Sequence, residues 1–144
     1  MSFDLRIVNG DFVLKSGDLE KITGQQKLIQ DITKICLTPV GANIFQPWYG
    51  SFINKTLIGN ALDDNITNDI ATNQLQNAIE NLKKLQQLQL SETFQQITPD
   101  EHIAGISNID ITRNAVDPRI FNVIVKVLSR AFRQATVNFP INHT

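Results

Sequence analysis

Residues 23–51 read TGQQKLIQDITKICLTPVGANIFQPWYGS, and the two halves of this stretch make opposite demands on the backbone. In the first half, Leu28, Ile29, Ile32, Ile35 and Cys36 recur at the i, i+3, i+4, i+7 spacing of one buried helical stripe. Thr23 is placed to cap that helix, with Gln26 three residues on to complete a capping box. Pro39 disfavours helical geometry in the residue before it, so the helix ends by Thr38. The second half is a loop, Leu37-Thr38-Pro39-Val40-Gly41 and then Pro47-Trp48-Tyr49-Gly50-Ser51, that holds the only tryptophan and the only tyrosine. Prolines fix φ there, glycines permit strained backbone, and the two large rings need somewhere to pack. Such rings serve as a core plug or as anchors of a protein interface, and both readings stay open for Trp48 and Tyr49.

Towards the N-terminus, Phe3 to Val8 and Phe12 to Lys15 flank Asn9-Gly10, a dipeptide suited to a type I′ turn, which predicts a small β-hairpin. Ser16-Gly17 offers a second turn, and Leu19 to Ile22 a short third strand. Past the loop, Ser51 is placed to cap a short helix through Phe52, Ile53, Leu57 and Ile58, ended by Gly59. Asp63 and Asp64 then favour a helix start, and Ile66, Ile70, Leu75, Ala78, Ile79, Leu82 and Leu85 predict one long helix with the glutamine-rich run 85–90 as its exposed end. Thr98-Pro99-Asp100-Glu101 supplies an N-cap, a proline at N1 and a glutamate at N3, so one helical turn is expected, closed by Gly105.

From there the period changes to two. Ile109 and Ile111 alternate with polar neighbours, and Ile120 to Leu128 sets Phe121, Val123, Val125 and Val127 on one face against Ile124 and Leu128 on the other. Ala131 to Phe139 is a further strand stopped by Pro140, after a turn at 129–133 that contains no glycine, proline or asparagine and is weakly specified locally. A central strand apolar on both faces needs cover on both, from helices on one side and a partner on the other. The fold class is α+β: an N-terminal β-hairpin, helices including one long central helix, and a C-terminal antiparallel sheet of about three strands.

A chain of 144 residues with 42% apolar and 19% charged residues fits one globular domain spanning 1–144, and no stretch approaches the ~20 apolar residues of a membrane span. The N-terminus has no basic region followed by an apolar core, and the lone Cys36 fits a reducing compartment. A net charge of −1 argues against general nucleic-acid binding. The glycines form no phosphate-binding loop, and His102 and His143, read as surface residues, lack metal-spaced neighbours, so no cofactor and no metal are expected. Cys36 on the apolar stripe reads as a small hydrophobe. Glu101 and Asp117 are the remaining pair for glycosidase chemistry. Each already has a local use, however, Glu101 in the capping box and Asp117 in the turn before Pro118.

The order GDFVLKSGDLEKITGQQKLIQDITKICLTPVG, then PWYGS, a long helix and VIVKVL resembles the baseplate wedge or tail sheath initiator family of contractile phage tails, the lysozyme-like wedge family related to a type VI secretion baseplate component. The likeness spans nearly the whole chain; its distinctive parts are Gly24 with Gln30-Asp31, Leu37 to Gly41, and Tyr49-Gly50-Ser51. It implies a structural, non-enzymatic protein of the virion tail baseplate, assembled in the host cytoplasm. Several copies would ring the tail tube, dock on the wedge core-bundle proteins and offer strand edges on which tail sheath protein assembles. The family often carries Glu-Pro-Arg ahead of its C-terminal sheet. Here Asp117-Pro118-Arg119 matches by spelling and Glu101-His102-Ile103 by position, and position is the stronger guide. The partner-binding candidates are therefore Trp48, Tyr49, Glu101, Arg119 as the rival to Glu101, and Arg133, Ala135, Val137 and Phe139 along the last strand. A peptidoglycan hydrolase and a free-standing adaptor are the alternatives.

Overall fold

The computed structural model describes residues 3–8, 11–53, 64–92, 98–117 and 120–142. The N-terminal strands β1 (Asp4–Leu5), β2 (Ile7–Val8), β3 (Asp11–Phe12), β4 (Leu14–Lys15), β5 (Asp18–Leu19) and β6 (Lys21–Ile22) precede helix α1 (Gly24–Leu37). Helix α2 (Asp64–Glu92) and a 3-10 turn (Pro99–Glu101) follow. The chain ends in β7 (Ile103–Arg113), β8 (Ile120–Ser129) and β9 (Gln134–Asn142), so it is α+β as the periodicities predict.

The N-terminal segment is not one hairpin with a third strand but three two-residue pairs, β1 with β6, β2 with β3 and β4 with β5. They meet at Arg6, Val13 and Glu20, whose backbones bond in a ring: Arg6 N–H to Glu20 O, Glu20 N–H to Val13 O and Val13 N–H to Arg6 O. Ser16 (φ 54°) and Gly17 (φ 86°) make the primed two-residue turn between β4 and β5. The Asn9-Gly10 turn lies outside the described residues.

In the C-terminal sheet β8 lies between β7 and β9, with both pairings antiparallel. Its inner face, Phe121, Val123, Val125 and Val127 flanked by Ile111 and by Ala135, Val137, Phe139 and Ile141, is buried under α1 and α2. α1 packs on β9 and α2 on β7. The stripe Leu28, Ile32, Ile35 and Cys36 faces this core as its spacing predicts. On α2 the buried stripe is Thr67, Ala71, Leu75, Ala78, Ile79, Leu82 and Gln86, so Ile66 and Ile70 are exposed and Gln86 is buried, contrary to expectation. Small residues, Ala71 and Ala78, let that helix approach the sheet, and the rotation this requires turns Ile66 and Ile70 outward.

Two boundaries differ from the sequence reading. The strand β7 starts directly after the 3-10 turn and runs through Gly105, with register shifts on either side of Ala104 and Ser107. β9 begins at Gln134 after a turn in which Phe132 takes φ 61°, and it contains Pro140 instead of stopping there. Of the short helix predicted from Ser51, residues 54–63 lie outside the described set, as do Pro118, Arg119 and His143.

Candidate partner-binding site

Backbone hydrogen bonding fixes which groups the last strand offers. Ser129 N–H donates to Arg133 O at 2.9 Å, so this facing couple is a hydrogen-bonded one. Antiparallel ladders alternate. The couples Leu128/Gln134, Lys126/Thr136, Ile124/Asn138 and Asn122/Pro140 are therefore of the other kind, and in β9 the N–H and C=O groups of Gln134, Thr136 and Asn138 point away from β8. Two side chains agree with this parity. Pro140, with no N–H, occupies one of these positions at no cost to the ladder. The outward Gln134 carbonyl accepts a bond from Gln25 Nε2 of α1 at 2.9 Å. Between them, among the described residues, no strand pairs with β9 at Thr136 and Asn138.

The opposite edge is built differently. β7 carries two register shifts, Lys83 Nζ reaches Ala104 O at 3.1 Å and Asn68 Nδ2 reaches Ile111 O at 3.5 Å. Bulges and side chains that take up carbonyls blunt an edge against strand addition. Only β9 presents a straight ladder. The side chains of Ala135, Val137 and Phe139 point into the core and are buried, so what the edge offers is backbone, with Thr136 and Asn138 side chains on the outer face. Arg133 is exposed at the start of β9, with Nε 3.9 Å from Asp100 Oδ1.

The aromatic loop closes back on α1. Ser51 N–H donates to Thr38 O at 2.8 Å and its hydroxyl donates to Cys36 O at 2.5 Å, which occupies carbonyls at the helix end. Gly50 (φ 120°) lies so close that a Cβ there would clash with the Thr38 carbonyl oxygen. Tyr49 packs against the core, and burial together with nearby Asp31 pushes its hydroxyl pKa up to about 12. Trp48 stays 41% exposed, edge-on to Tyr49 with centroids 6.3 Å apart, and the loop tip leaves Ile44 and Phe45 almost fully exposed. The loop is thus both plug and surface: Tyr49 is the plug, Trp48 the surface.

Glu101 and His102 are interior residues, which corrects the surface reading of His102. Glu101 Oε1 accepts Gly24 N–H at 2.9 Å, a cap supplied to α1 from 77 residues away, whereas Thr23 makes no side-chain cap bond and the capping box with Gln26 is not formed. The helix N-terminus favours the carboxylate there. Gln86 locks the same corner, donating to Glu101 O at 2.8 Å and accepting Ile103 N–H at 2.9 Å. Burial lowers the His102 pKa, helped by the Arg130 charge. Asp117 lies beyond the other end of β7, about 30 Å from Glu101 for an eleven-residue strand. Glycosidase carboxyls stand about 5–9.5 Å apart, so this pair does no such chemistry. Burial raises the Cys36 thiol to about 12, as suits a packing residue.

A second polar group joins α1 to the N-terminal strands. Gln30 donates to Asp4 Oδ2 and Leu5 O and accepts Ile7 N–H. Lys34 bonds Asp4 and lies 3.6 Å from Asp31, which pairs with the buried Lys27 at 2.9 Å. Burial raises the Asp31 pKa against the pull of Lys27. Burial also pushes on Asp4, but bonds from Lys34, Gln30 and the Leu5 N–H outweigh it and hold that carboxyl low. Helical periodicity singles out none of Gln25, Gln30 and Gln86, because polar residues on amphipathic helices ordinarily face water; Gln30 stood out only through the family resemblance. Among the described residues, no cluster of three or more His, Cys, Asp or Glu stands close enough to hold a metal ion, and no helix is long and apolar enough to cross a membrane.

No protein-family model and no curated protein matches the chain. Among solved structures it is similar to a Geobacter sulfurreducens protein described, provisionally, as a tail lysozyme. That match has a TM-score of 0.59 and 14% identity, over 93% of this chain and 97% of the other. At that identity the likeness is one of fold.

Proposed function

We propose that this chain is a structural, non-catalytic component of a contractile phage tail baseplate, one domain that links wedge to sheath and starts sheath assembly by accepting a strand at β9. The observation that carries the reading is the straight middle of the β9 edge, where the Thr136 and Asn138 backbones face outward between the Gln134 carbonyl bonded by Gln25 and Pro140, while the opposite edge is bulged and bonded by α2. The fold shared with a protein described as a tail lysozyme and the order of sequence signatures support the tail setting. Tail sheath protein is the proposed strand donor, and Arg133 at the head of β9 its charged neighbour. Exposed Trp48 serves the wedge core-bundle or tail tube proteins, with the partly buried Tyr49 as its support. Because Glu101 is buried and already bonded to Gly24, the wedge contact falls more naturally to Arg119. Several copies would ring the tube. The test is Thr136→Pro, which removes one outward N–H: particles carrying it should assemble baseplates without sheath, and normal sheath growth would refute the reading.

The hydrolase reading retains one observation. Asp31 and Asp4 share Lys34 at a polar cleft of about 240 Å³ with Tyr49 and Gln89, and their proton affinities are pushed in opposite directions. Lys34, however, fills the space between the carboxyls where a scissile bond would lie. Turnover of purified peptidoglycan by the wild type, lost in Asp31→Asn, would establish that reading over the structural one.

A further inference from the structure

The flank of α1 turned away from α2 carries Gln25 and Ile29, one helical turn apart, and Gln25 touches β9 at Gln134. Beside Ile29 opens a groove of about 310 Å³ between α1 and the N-terminal strands, with apolar walls at Ile7, Val8 and Ile22 and with Arg6, Gln26, Gln30 and Thr33 completing its lining. Ile7 and Val8 are both exposed there. α1 packs on β9, and near its start Gln25 is bonded to the Gln134 carbonyl. Ile29 and Thr33 then follow Gln25 at steps of about 6 Å. Along β9 the outward backbone groups of Thr136 and Asn138 follow Gln134 at steps of about 6.7 Å. The two ladders keep nearly the same pitch.

A strand added at this edge would lie about 4.8 Å outside β9, with alternate side chains directed to the helical layer. Those side chains would face the α1 flank that borders the groove; their neighbours would lie on the polar face shared by Thr136 and Asn138. We propose that the segment accepted at β9 is a short extended peptide, about five residues long, with apolar side chains at alternate positions that enter the groove between α1 and the N-terminal strands. Its length is set at one end by the Gln134 carbonyl, already bonded to Gln25, and at the other by Pro140, which has no N–H to give. This rests on the reading of β9 as a docking edge and adds to it a rule for which sequence docks: backbone bonds hold the peptide, and the groove selects it.

The experiment uses the full chain, labelled at backbone amides and isoleucine methyls, titrated with acetyl-Thr-Val-Thr-Val-Thr-amide and with the same peptide carrying serine in place of valine. The valine peptide should shift the Thr136 and Asn138 amides together with the Ile29 methyl, and bind at least tenfold tighter than the serine peptide, the preference expected from seating one valine in apolar surroundings. Val8→Ser, on the exposed wall of the groove, should narrow that preference while leaving the amide shifts in place; Ile29→Ser should do the same more strongly. Amide shifts with equal affinity for both peptides would overturn the groove while leaving the edge reading intact. Absence of any shift at Thr136 and Asn138 with either peptide would overturn both.

Discussion

Proline placed at successive positions of β9 tests the parity of the ladder directly. At Thr136 the N–H points out of the sheet and the side chain is exposed, so Thr136→Pro removes no ladder bond and should cost at most about 1 kcal/mol. At Val137 the N–H faces Val125 within the ladder, and both residues are fully buried. Losing that bond costs about 1 kcal/mol and leaving the Val125 carbonyl without a partner a further 1–3 kcal/mol, roughly. The altered packing of a buried side chain adds about 1 kcal/mol, so Val137→Pro should destabilise by about 3–5 kcal/mol. For a chain of this length that is a fall in Tm of about 9–15 °C, against about 3 °C or less at Thr136. Urea and thermal unfolding followed by far-UV circular dichroism measure both. Equal losses at the two positions, or a larger loss at Thr136, would mean that the ladder has the opposite parity and that the edge offered to a partner is not the one described.

Three further outcomes follow from the interior. Glu101→Ala leaves Gly24 N–H without its acceptor and should cost about 2–4 kcal/mol in urea unfolding, whereas Glu101→Gln keeps an acceptor oxygen and should recover at least half of that. Gly50→Ala forces a Cβ against the Thr38 carbonyl at φ 120° and should cost more than about 2 kcal/mol, while a change at neighbouring exposed Trp48 to serine stays within about 1 kcal/mol. His102 is held neutral, with a folded pKa below its ordinary 6.5, so below about pH 6.5 the unfolded chain takes up a proton that the folded chain refuses. Stability should therefore be flat above about pH 6.5 and fall as pH drops from there towards the lowered value; His102→Asn should flatten the Tm profile in that window, and an unchanged slope would place the titration elsewhere.

Much of the architecture was legible in the chain because it depends on local periodicity. The stripe Leu28, Ile32, Ile35, Cys36 and the alternation Phe121, Val123, Val125, Val127 each mark a buried face by spacing alone, and together they give helices over an antiparallel sheet. Where the reading failed, the deciding contact was remote in sequence. Thr23 and Gln26 look like a capping box, but α1 is capped by Glu101. His102 and Gln86 look like solvent-facing polar residues until the 3-10 turn, α2 and β7 close around them. The N-terminal strands keep only two-residue pairs because Arg6, Val13 and Glu20 satisfy one another in a ring that no single turn encodes.

By itself, then, the order of residues determined the α+β class, the two main helices, the C-terminal strands and the apolar faces of α1 and β8, since those follow from 3.6-residue and two-residue repeats. It did not determine the exact face of α2 or the pairing of the N-terminal strands. Only the tertiary structure decided which sheet border remains available. That border depends on the parity set by the Ser129–Arg133 bond, on Gln25 reaching Gln134 and on α2 side chains occupying β7, and backbone groups carry no mark in the sequence of what they will meet.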